Sequence, residues 1–546
     1  MMSINISKQK RDELTAKIEA IRSFILKASQ DESSESLLTF LGQIEKEVKG
    51  KKYGLVFEEH RETIDEVLDS HIPVLSEEPS LFIENGGNIN FLLEGDNLAA
   101  LRLLEKTYRR KIDLIYIDPP YNTGKKDFIY DDSFVDKTDN YIHSKWLSFM
   151  ERRLKIAKNL LSENGSIFIS IDEHEYANLR LLCNQIIGEE RHVATIAWQK
   201  RYSRENREAI GDSHEYIVIY ANNVDKFKEF RNRLPLTDKQ KKLYKNPDND
   251  PRGPWQSVSL LAQGYRPNQM YKIIAPNGTE HYPPQGRCWS TIESEYLKAF
   301  KDGRIYFGPN GNGVPRRKQF LYEAKGLVPW SWWPHEEVGH TDEAKKETGA
   351  LLDNMTAFST PKPIRLIDRI ITIASGPDST ILDFFAGSGT TGHAVLAHNA
   401  MHENSKRKFI LCTNNENEIC RKVTYERIKR VIANEGYRAS LKYYKIDYVS
   451  INERMYYEYA DELMHHIREL VELENGVNFT RNAELAIVLT DDEMDDFVEN
   501  ADAFEKCVRL YKGHDVLLSG EQEEILKERG VEIITIPNYF YKELEG

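Results

Sequence analysis

The chain has 546 residues, with 74 Lys+Arg against 87 Asp+Glu and a net charge of −13 at neutral pH. At 40% hydrophobic and 29% charged residues, the composition excludes a largely disordered chain and predicts a globular protein of several domains. No run of 18 apolar residues occurs and Met1 to Arg11 is polar, so neither a membrane span nor a secretory signal is expected.

Along the chain, residues 9–50 read as one or two amphipathic helices, from Leu14, Ile18, Ile21, Phe24 and Ile25 and then Leu37, Leu38, Leu41 and Ile44. They must cover either their own core or a partner. Pro73, Pro79, Gly86 and Gly87 read as a linker between about 70 and 90. An α/β rhythm follows: strand Phe91–Glu94, helix Leu98–Tyr108, and the apolar strand Ile112–Ile117, which ends at Asp118-Pro119-Pro120-Tyr121. A helix from Trp146 to Leu161 is capped by Gly165. Strand Ser166–Ile171, a helix over 175–187 and strand Glu215–Tyr220 complete this part. From 231 to 340 Pro, Gly and aromatic residues rise, and Trp255, Trp289, Trp330, Trp332 and Trp333 make up five of the seven tryptophans. That texture predicts an irregular inserted domain, with the tryptophans as core staples rather than base wedges. The rhythm resumes with a helix at 363–374, strand Ile381–Phe385, a helix at 391–399, strand Phe409–Thr413 and a basic helix at 419–434. The tail is mixed, with a helix near 456–473 and strands at 484–489, 507–511 and 532–536.

Charge is segregated along this order. Residues 451–546 hold 24 acids and 9 bases, whereas 191–330 hold 24 bases and 14 acids. The acidic total therefore does not argue against a nucleic-acid partner. The five cysteines form no CxxC pair, which fits a reduced, cytoplasmic chain without a zinc knuckle or disulfide framework. No metal is expected.

Two motifs carry chemistry. The first, Asp383-Phe384-Phe385-Ala386-Gly387-Ser388-Gly389-Thr390-Thr391-Gly392, follows a strand and opens a helix. Glycines there let backbone approach a ligand, and the helix N-terminus offers free N–H groups. The stretch lacks the Lys of a P-loop, and Gly387, Gly389 and Gly392 also satisfy GxGxxG, so a dinucleotide enzyme stays open on this motif. In either case Glu416, just past strand 409–413, is placed to hold a ribose diol.

The second motif, Asp118-Pro119-Pro120-Tyr121, sits at the carboxyl end of a strand, where open α/β sheets place their active sites. Consecutive prolines fix φ and offer carbonyl acceptors without N–H donors. An acid beside such a carbonyl can accept both hydrogens of an exocyclic amino group, and Tyr121 offers a face for a flipped base.

Lys111 to Gly124 with Asp383 to Gly389 resembles the β-group of amino-methylating DNA methyltransferases, and within it the Mod subunits of type III restriction–modification systems. Leu93-Glu-Gly-Asp-Asn-Leu98, His143 to Leu154 and Thr360-Pro-Lys-Pro363 support the likeness, which spans roughly residues 40 to 450. It implies a circularly permuted Rossmann-like methyltransferase sheet with helices on both faces. The catalytic motif precedes the S-adenosylmethionine loop, and an irregular target-recognition domain lies between them. It implies adenine N6 methylation, with Asp118 and the Pro119 carbonyl on the amino group, Pro120 stiffening the turn and Tyr121 stacking on the base. Asp383, Phe385, Ala386, Gly387, Ser388 and Gly389 would form the cofactor loop, with Glu416 on the ribose. Asp96 and Asn97 would lie near the cofactor adenine, and Lys362 and Pro363 would contribute from the helix entry. No cysteine follows a proline, which excludes carbon-5 cytosine chemistry, and Asp118 favours adenine over cytosine N4.

The implied partners are double-stranded DNA, a second copy in a homodimer, and a helicase-nuclease restriction subunit. Lys200, Arg201, Arg204, Arg207, Arg316, Arg317 and Lys318 are the candidate DNA contacts. The expected division is a helical N-terminal extension (1–70), the catalytic half of the core (71–225) and a target-recognition domain (226–345). The cofactor half of the core (346–445) and an acidic α+β C-terminal domain (446–546) follow. A solitary methyltransferase, an NAD-dependent oxidoreductase and a non-catalytic DNA-binding protein are the alternatives.

Overall fold

Ten strands pair into one mixed sheet among the residues that the computed structural model describes, which are 6–27, 32–49, 55–124, 129–130, 133–134, 141–203, 209–354, 358–451, 462–480, 482–500 and 505–539. In chain order they are His71–Glu77 (β1), Asn88–Glu94 (β2), Ile112–Ile117 (β3), Leu161–Ile171 (β4) and His192–Gln199 (β5). His214–Ala221 (β6), Trp332–Trp333 (β7), Thr380–Asp383 (β8), Lys408–Thr413 (β9) and Ala439–Ser450 (β10) complete the set. Their spatial order is β1-β10-β2-β9-β8-β3-β4-β6-β5-β7. From β10 through β4 all neighbours are parallel, while β1 and β6 run antiparallel to the strands beside them.

Burial on both faces explains the sequence of the central strands. Ile112, Leu114, Ile115, Tyr116 and Ile117 are all at most 2% exposed, the continuous apolar run of a parallel strand covered twice. Among the helices are Ile6–Lys27 (α1), Glu32–Lys49 (α2), Thr63–Ser70 (α3), Asn97–Thr107 (α4), Ile142–Leu160 (α5) and Tyr176–Cys183 (α6), then Ile364–Ala374 (α7), Thr390–Met401 (α8), Glu426–Glu435 (α9) and Ile467–Asn475 (α10). One core gathers α4, α5 and α6 through Leu101, Trp146, Met150 and Leu179. The other gathers α7, α8 and α9 through Ile367, Ile370, Val395 and Ile428. The helices thus lie on both faces of the sheet.

The crossovers decide where a site can form. From β8 the chain passes through α8 to β9, on one side; from β3 it passes through α5 to β4, on the other. Because β8 and β3 are neighbours, their carboxyl ends open onto a topological switch point, the crevice where such sheets bind ligands.

Several expectations need correction. The linker placed over 70–90 contains β1, with Pro73 opposite Tyr448; an edge strand tolerates the missing N–H. Gly165 does not cap α5, which ends at Leu160; it lies inside β4, where a Cβ would stand 2.7 Å from the Ile112 carbonyl oxygen. Strands β5, β7 and β10 were not anticipated. In β10 the run Lys442-Tyr443-Tyr444-Lys445 reads as surface, yet Lys442 is fully buried and bonded to Glu472, with Glu77 at 3.4 Å.

Between β6 and β7 lie short strands, among them the sheet of Trp255–Ser259, Arg316–Phe320 and Ile305–Tyr306, and a small core of Leu260, Ile273, Trp289, Tyr296 and Phe307. Trp255, Trp289 and Trp333 are buried, whereas Trp330 and Trp332 are exposed. In the tail, Leu485–Val488, Arg509–Lys512 and Glu532–Thr535 form a parallel sheet, with helices Asp491–Glu499 and Gly520–Glu528 as the crossovers. The tail is therefore α/β and not the expected α+β, because parallel neighbours require such crossovers. In the N-terminal hairpin Ile18 and Leu41 are buried, but Leu14, Ile21, Phe24, Leu37, Phe40 and Ile44 remain exposed. No helix among the described residues is long and apolar enough to cross a membrane. The five cysteines are free and buried.

Candidate active site

At the end of β8, Asp383 holds the glycine-rich turn together. Its Oδ1 accepts from the Phe385 N–H at 3.0 Å and its Oδ2 from Thr391 Oγ1 at 2.5 Å. Burial pushes its carboxyl up to about 7, against the opposing pull of these two hydrogen bonds. Gly389 has φ +75°, its N–H donates to the Ala386 carbonyl at 2.7 Å, and a Cβ there would stand 3.2 Å from Thr424 Cγ2. Thr424 Oγ1 in turn donates to the Gly387 carbonyl at 2.6 Å. Ser388 is buried, and the fully buried Arg427 donates to its carbonyl oxygen at 3.3 Å and to Thr390 Oγ1 at 2.9 Å. The turn is thereby fixed from behind.

Beside this turn opens a cavity of about 380 Å³, within the range of small-molecule sites. Five expected residues line it: Asp96, Asn97, Phe385, Glu416 and, from the proline turn, Pro120. Asp96 also caps α4, accepting from the Leu98 N–H at 2.7 Å, and Glu416 is exposed at the cavity. Ala386, Gly387, Ser388, Gly389, Lys362 and Pro363 do not line it. Among the lining residues that were not anticipated are Glu62 and Arg153. Arg153, 1% exposed, donates to Glu62 Oε2 at 2.7 Å, Glu62 Oε1 at 3.1 Å and Asn97 Oδ1 at 2.5 Å. Asn97 Nδ2 passes the contact on to the Phe384 carbonyl at 3.0 Å. The available signal was a cation on the apolar face of α5, one turn beyond Met150.

Across the switch point, past β3, Asp118 has both oxygens engaged. Tyr121 Oη donates to Oδ1 at 2.8 Å and Lys362 Nζ to Oδ2 at 2.6 Å. Lys362 thus stands with Asp118, not in the cavity. Its ammonium lies 5.1 Å from the Tyr121 ring centre. A further carboxylate joins them, since Glu215 Oε2 is 3.0 Å from Tyr121 Oη and 3.8 Å from Lys362 Nζ. Burial pushes the Asp118 carboxyl up; Lys362 pulls it back and Glu215 raises it again. Burial opposes the charge on Lys362, yet the two carboxylates hold its pKa above the usual lysine value. The loop itself is braced: Trp146 Nε1 donates to the Pro120 carbonyl at 2.7 Å, and Asn122, at φ +61°, donates to the buried Glu175 at 2.5 Å.

The candidate DNA contacts separate into distinct groups. Lys318 is a correction: 5% exposed, it is bonded to Asp248 and to Asp250 at 2.7 Å, so its charge is already compensated inside the insert. Lys200 donates to Glu215 Oε1 at 3.3 Å. Arg201, Arg316 and Arg317 are exposed, and Arg204 and Arg207 lie outside the described residues.

Fold and site together define an α/β ligand-binding protein, with a cofactor-sized cavity and an acidic proline turn on either side of one switch point. The chain belongs to the DNA methylase family, whose pattern matches residues 112–426. The oxidoreductase alternative is thereby set aside. The chain is similar to the type III restriction-modification enzyme StyLTI Mod subunit of Salmonella typhimurium, at 38% identity over 400 residues, 65% of this chain and 59% of that protein. It is 30% identical to the EcoP15I Mod subunit of Escherichia coli over 390 residues, 59% of this chain and 58% of that one. The chain therefore spans about three fifths of the length of these relatives. Among solved structures the cytosine-N4-specific PvuII DNA methyltransferase aligns at 11% identity and a TM-score of 0.33, over 66% of this chain and 98% of that chain. That likeness is too loose to bear on the chemistry.

Proposed function

We propose that the chain is a site-specific DNA methyltransferase that moves a methyl group from S-adenosyl-L-methionine to the N6 amino group of a flipped adenine, as the modification and recognition subunit of a type III restriction–modification system. The observation that carries this reading is the position of Asp118 and its proline turn across one crevice from the Asp383 turn and its cavity. Family membership and the likeness to Mod subunits support it.

The cavity fits the cofactor. It offers the exposed Glu416 carboxylate for a ribose diol, Phe385 and Phe149 for apolar contact, and polar groups from Asp96 and Asn97, with the Arg153–Glu62 ion pair along its wall. When bound, S-adenosylmethionine supplies an electrophilic methyl group on a sulfonium. The chain does the rest by positioning. Asp118 and the Pro119 carbonyl accept the two amino hydrogens, which draws the nitrogen lone pair out of conjugation with the ring. Pro120 keeps the turn stiff, and the Tyr121 ring gives the extruded base a stacking face.

The proposed division assigns 1–70 to a helical extension, 71–225 and 346–445 to the two halves of a circularly permuted core, 226–345 to target recognition and 446–546 to an acidic terminal unit. Strand β3 precedes β8 in the chain, with the insert among the segments between them, although the two are neighbours in the sheet. Double-stranded DNA meets the exposed bases Arg201, Arg316 and Arg317. The exposed apolar residues of α1 and α2 suit a homodimer contact, and a helicase-nuclease subunit is the further partner. Methyl transfer from labelled cofactor to DNA, followed by single-molecule sequencing of the product, tests the function. N6-methyladenine at one motif is the expected result; methylcytosine, or no transfer, overturns it. Light scattering of a chain lacking residues 1–50 tests the dimer, which should dissociate.

A further inference from the structure

We infer that Glu215 is a positioning residue for methyl transfer: it takes the Tyr121 hydroxyl hydrogen so that Asp118 Oδ1 can turn to the incoming amino group. The inference rests on the methyltransferase reading and adds a residue to its machinery.

One hydroxyl hydrogen serves two acceptors here. Tyr121 Oη lies 2.8 Å from Asp118 Oδ1 and 3.0 Å from Glu215 Oε2, and a phenol donates only once. With the base absent, the shorter of the two contacts is the one to Asp118. An amino group arriving at Oδ1 brings its own hydrogen, and the Tyr121 hydrogen must then go elsewhere or compete. Glu215 is the alternative acceptor, already within bonding distance, so the change costs only a rotation about the C–O bond.

Glu215 is built for this place. It sits near the start of β6, with a side chain only 11% exposed, and its charge is met by Lys200 Nζ at 3.3 Å and Lys362 Nζ at 3.8 Å. The charged and titratable groups around it come from four elements. Tyr116, Asp118 and Tyr121 come from β3 and its loop, Asp172 from the end of β4, Lys200 from the end of β5 and Lys362 from the entry to α7. Lys362 is therefore shared between Asp118 and Glu215, and Lys200 completes a row that leads outward from Asp118. Glu215 does not line the cofactor cavity. A loss there should spare cofactor binding.

The test is a pair of variants with opposite signatures. Glu215→Gln keeps the shape but removes a negative neighbour of Asp118, so the acid limb of kcat/KM should move to lower pH. Its kcat should drop about tenfold because the amide is a weaker acceptor for Tyr121. Tyr121→Phe removes a hydrogen bond that favours the Asp118 carboxylate, so its acid limb should move to higher pH. Cofactor affinity by calorimetry should stay within about twofold for Glu215→Gln, and Glu215→Asp should restore part of its kcat. If Glu215→Gln retains the wild-type kcat and pH profile while the wild type transfers methyl groups, the positioning role is wrong. Movement of the limb in one direction by both variants would equally overturn it. A wild type with no methyl transfer overturns the function itself, and is told apart by that control.

Discussion

Lys362 Nζ and Asp118 Oδ2 stand 2.6 Å apart although 244 residues separate them in the chain. The pair joins the entry of α7 to the loop after β3, one strand away from the glycine turn. Lys362 is 8% exposed on its side chain and Asp118 24%, so neither charge is fully solvated without the other. Breaking such a pair by removing one partner costs about 3 kcal/mol or more. Lys362→Met should lower the urea midpoint accordingly and move the acid limb of activity to higher pH, since Lys362 holds the Asp118 pKa down. An unchanged acid limb would show that the pair does not tune Asp118.

Asp118 lies outside the cavity lining, so chemistry and cofactor binding should separate cleanly. Asp118→Ala is expected to abolish methyl transfer while S-adenosylmethionine binding by calorimetry stays near the wild-type value. Residual transfer within tenfold of wild type would refute the role given to this carboxylate.

Asp383 gives a stability prediction with a definite sign. Its pKa is raised by burial from 3.8 to about 7, so the folded chain holds a proton that the unfolded chain releases between those values. Stability from this group is complete below pH 3.8 and is lost as pH rises through about 7, at up to about 1.4 kcal/mol per pH unit. Asp383→Asn imitates the protonated acid and titrates nothing. The wild type should therefore lose ground to Asp383→Asn in melts from pH 4 to 7, and the difference should level off above. A difference independent of pH would assign Asp383 an ordinary pKa.

Gly389, at φ +75°, tests the glycine turn. Alanine in a left-handed conformation costs about 1–2 kcal/mol, and its Cβ would press on Thr424. Asparagine tolerates that conformation better. The melting temperature should fall more for Gly389→Ala than for Gly389→Asn, relative to glycine. Equal losses would mean that space, not φ, sets the requirement.

The basic residues of the insert should divide in DNA-binding assays. Arg317→Ala should reduce the slope of log K against log salt by about one counterion. Lys318→Ala should leave that slope unchanged and destabilise the insert instead, because Asp248 and Asp250 would lose their cation. A reduced slope for Lys318→Ala would place its ammonium on phosphate after all.

Sequence by itself determined what depends on near neighbours. Strand Ile112–Ile117 is visible because burial on both faces makes the run apolar. The turns at Asp118 and Gly389 are visible because proline and glycine set φ locally, α7 because its apolar residues recur at helical spacing, and α8 because the glycine turn before it marks a helix start. Only the tertiary structure decided which charges meet. Lys442 inside β10 and Glu215 beside Asp118 read as surface in a local window, and no local window names the partners of Arg153 on Glu62 or of Lys362 on Asp118. Each is buried because an opposite charge from a distant segment compensates it. That compensation is a property of strands brought side by side, so the site's electrostatics came from the fold while its motifs came from the chain.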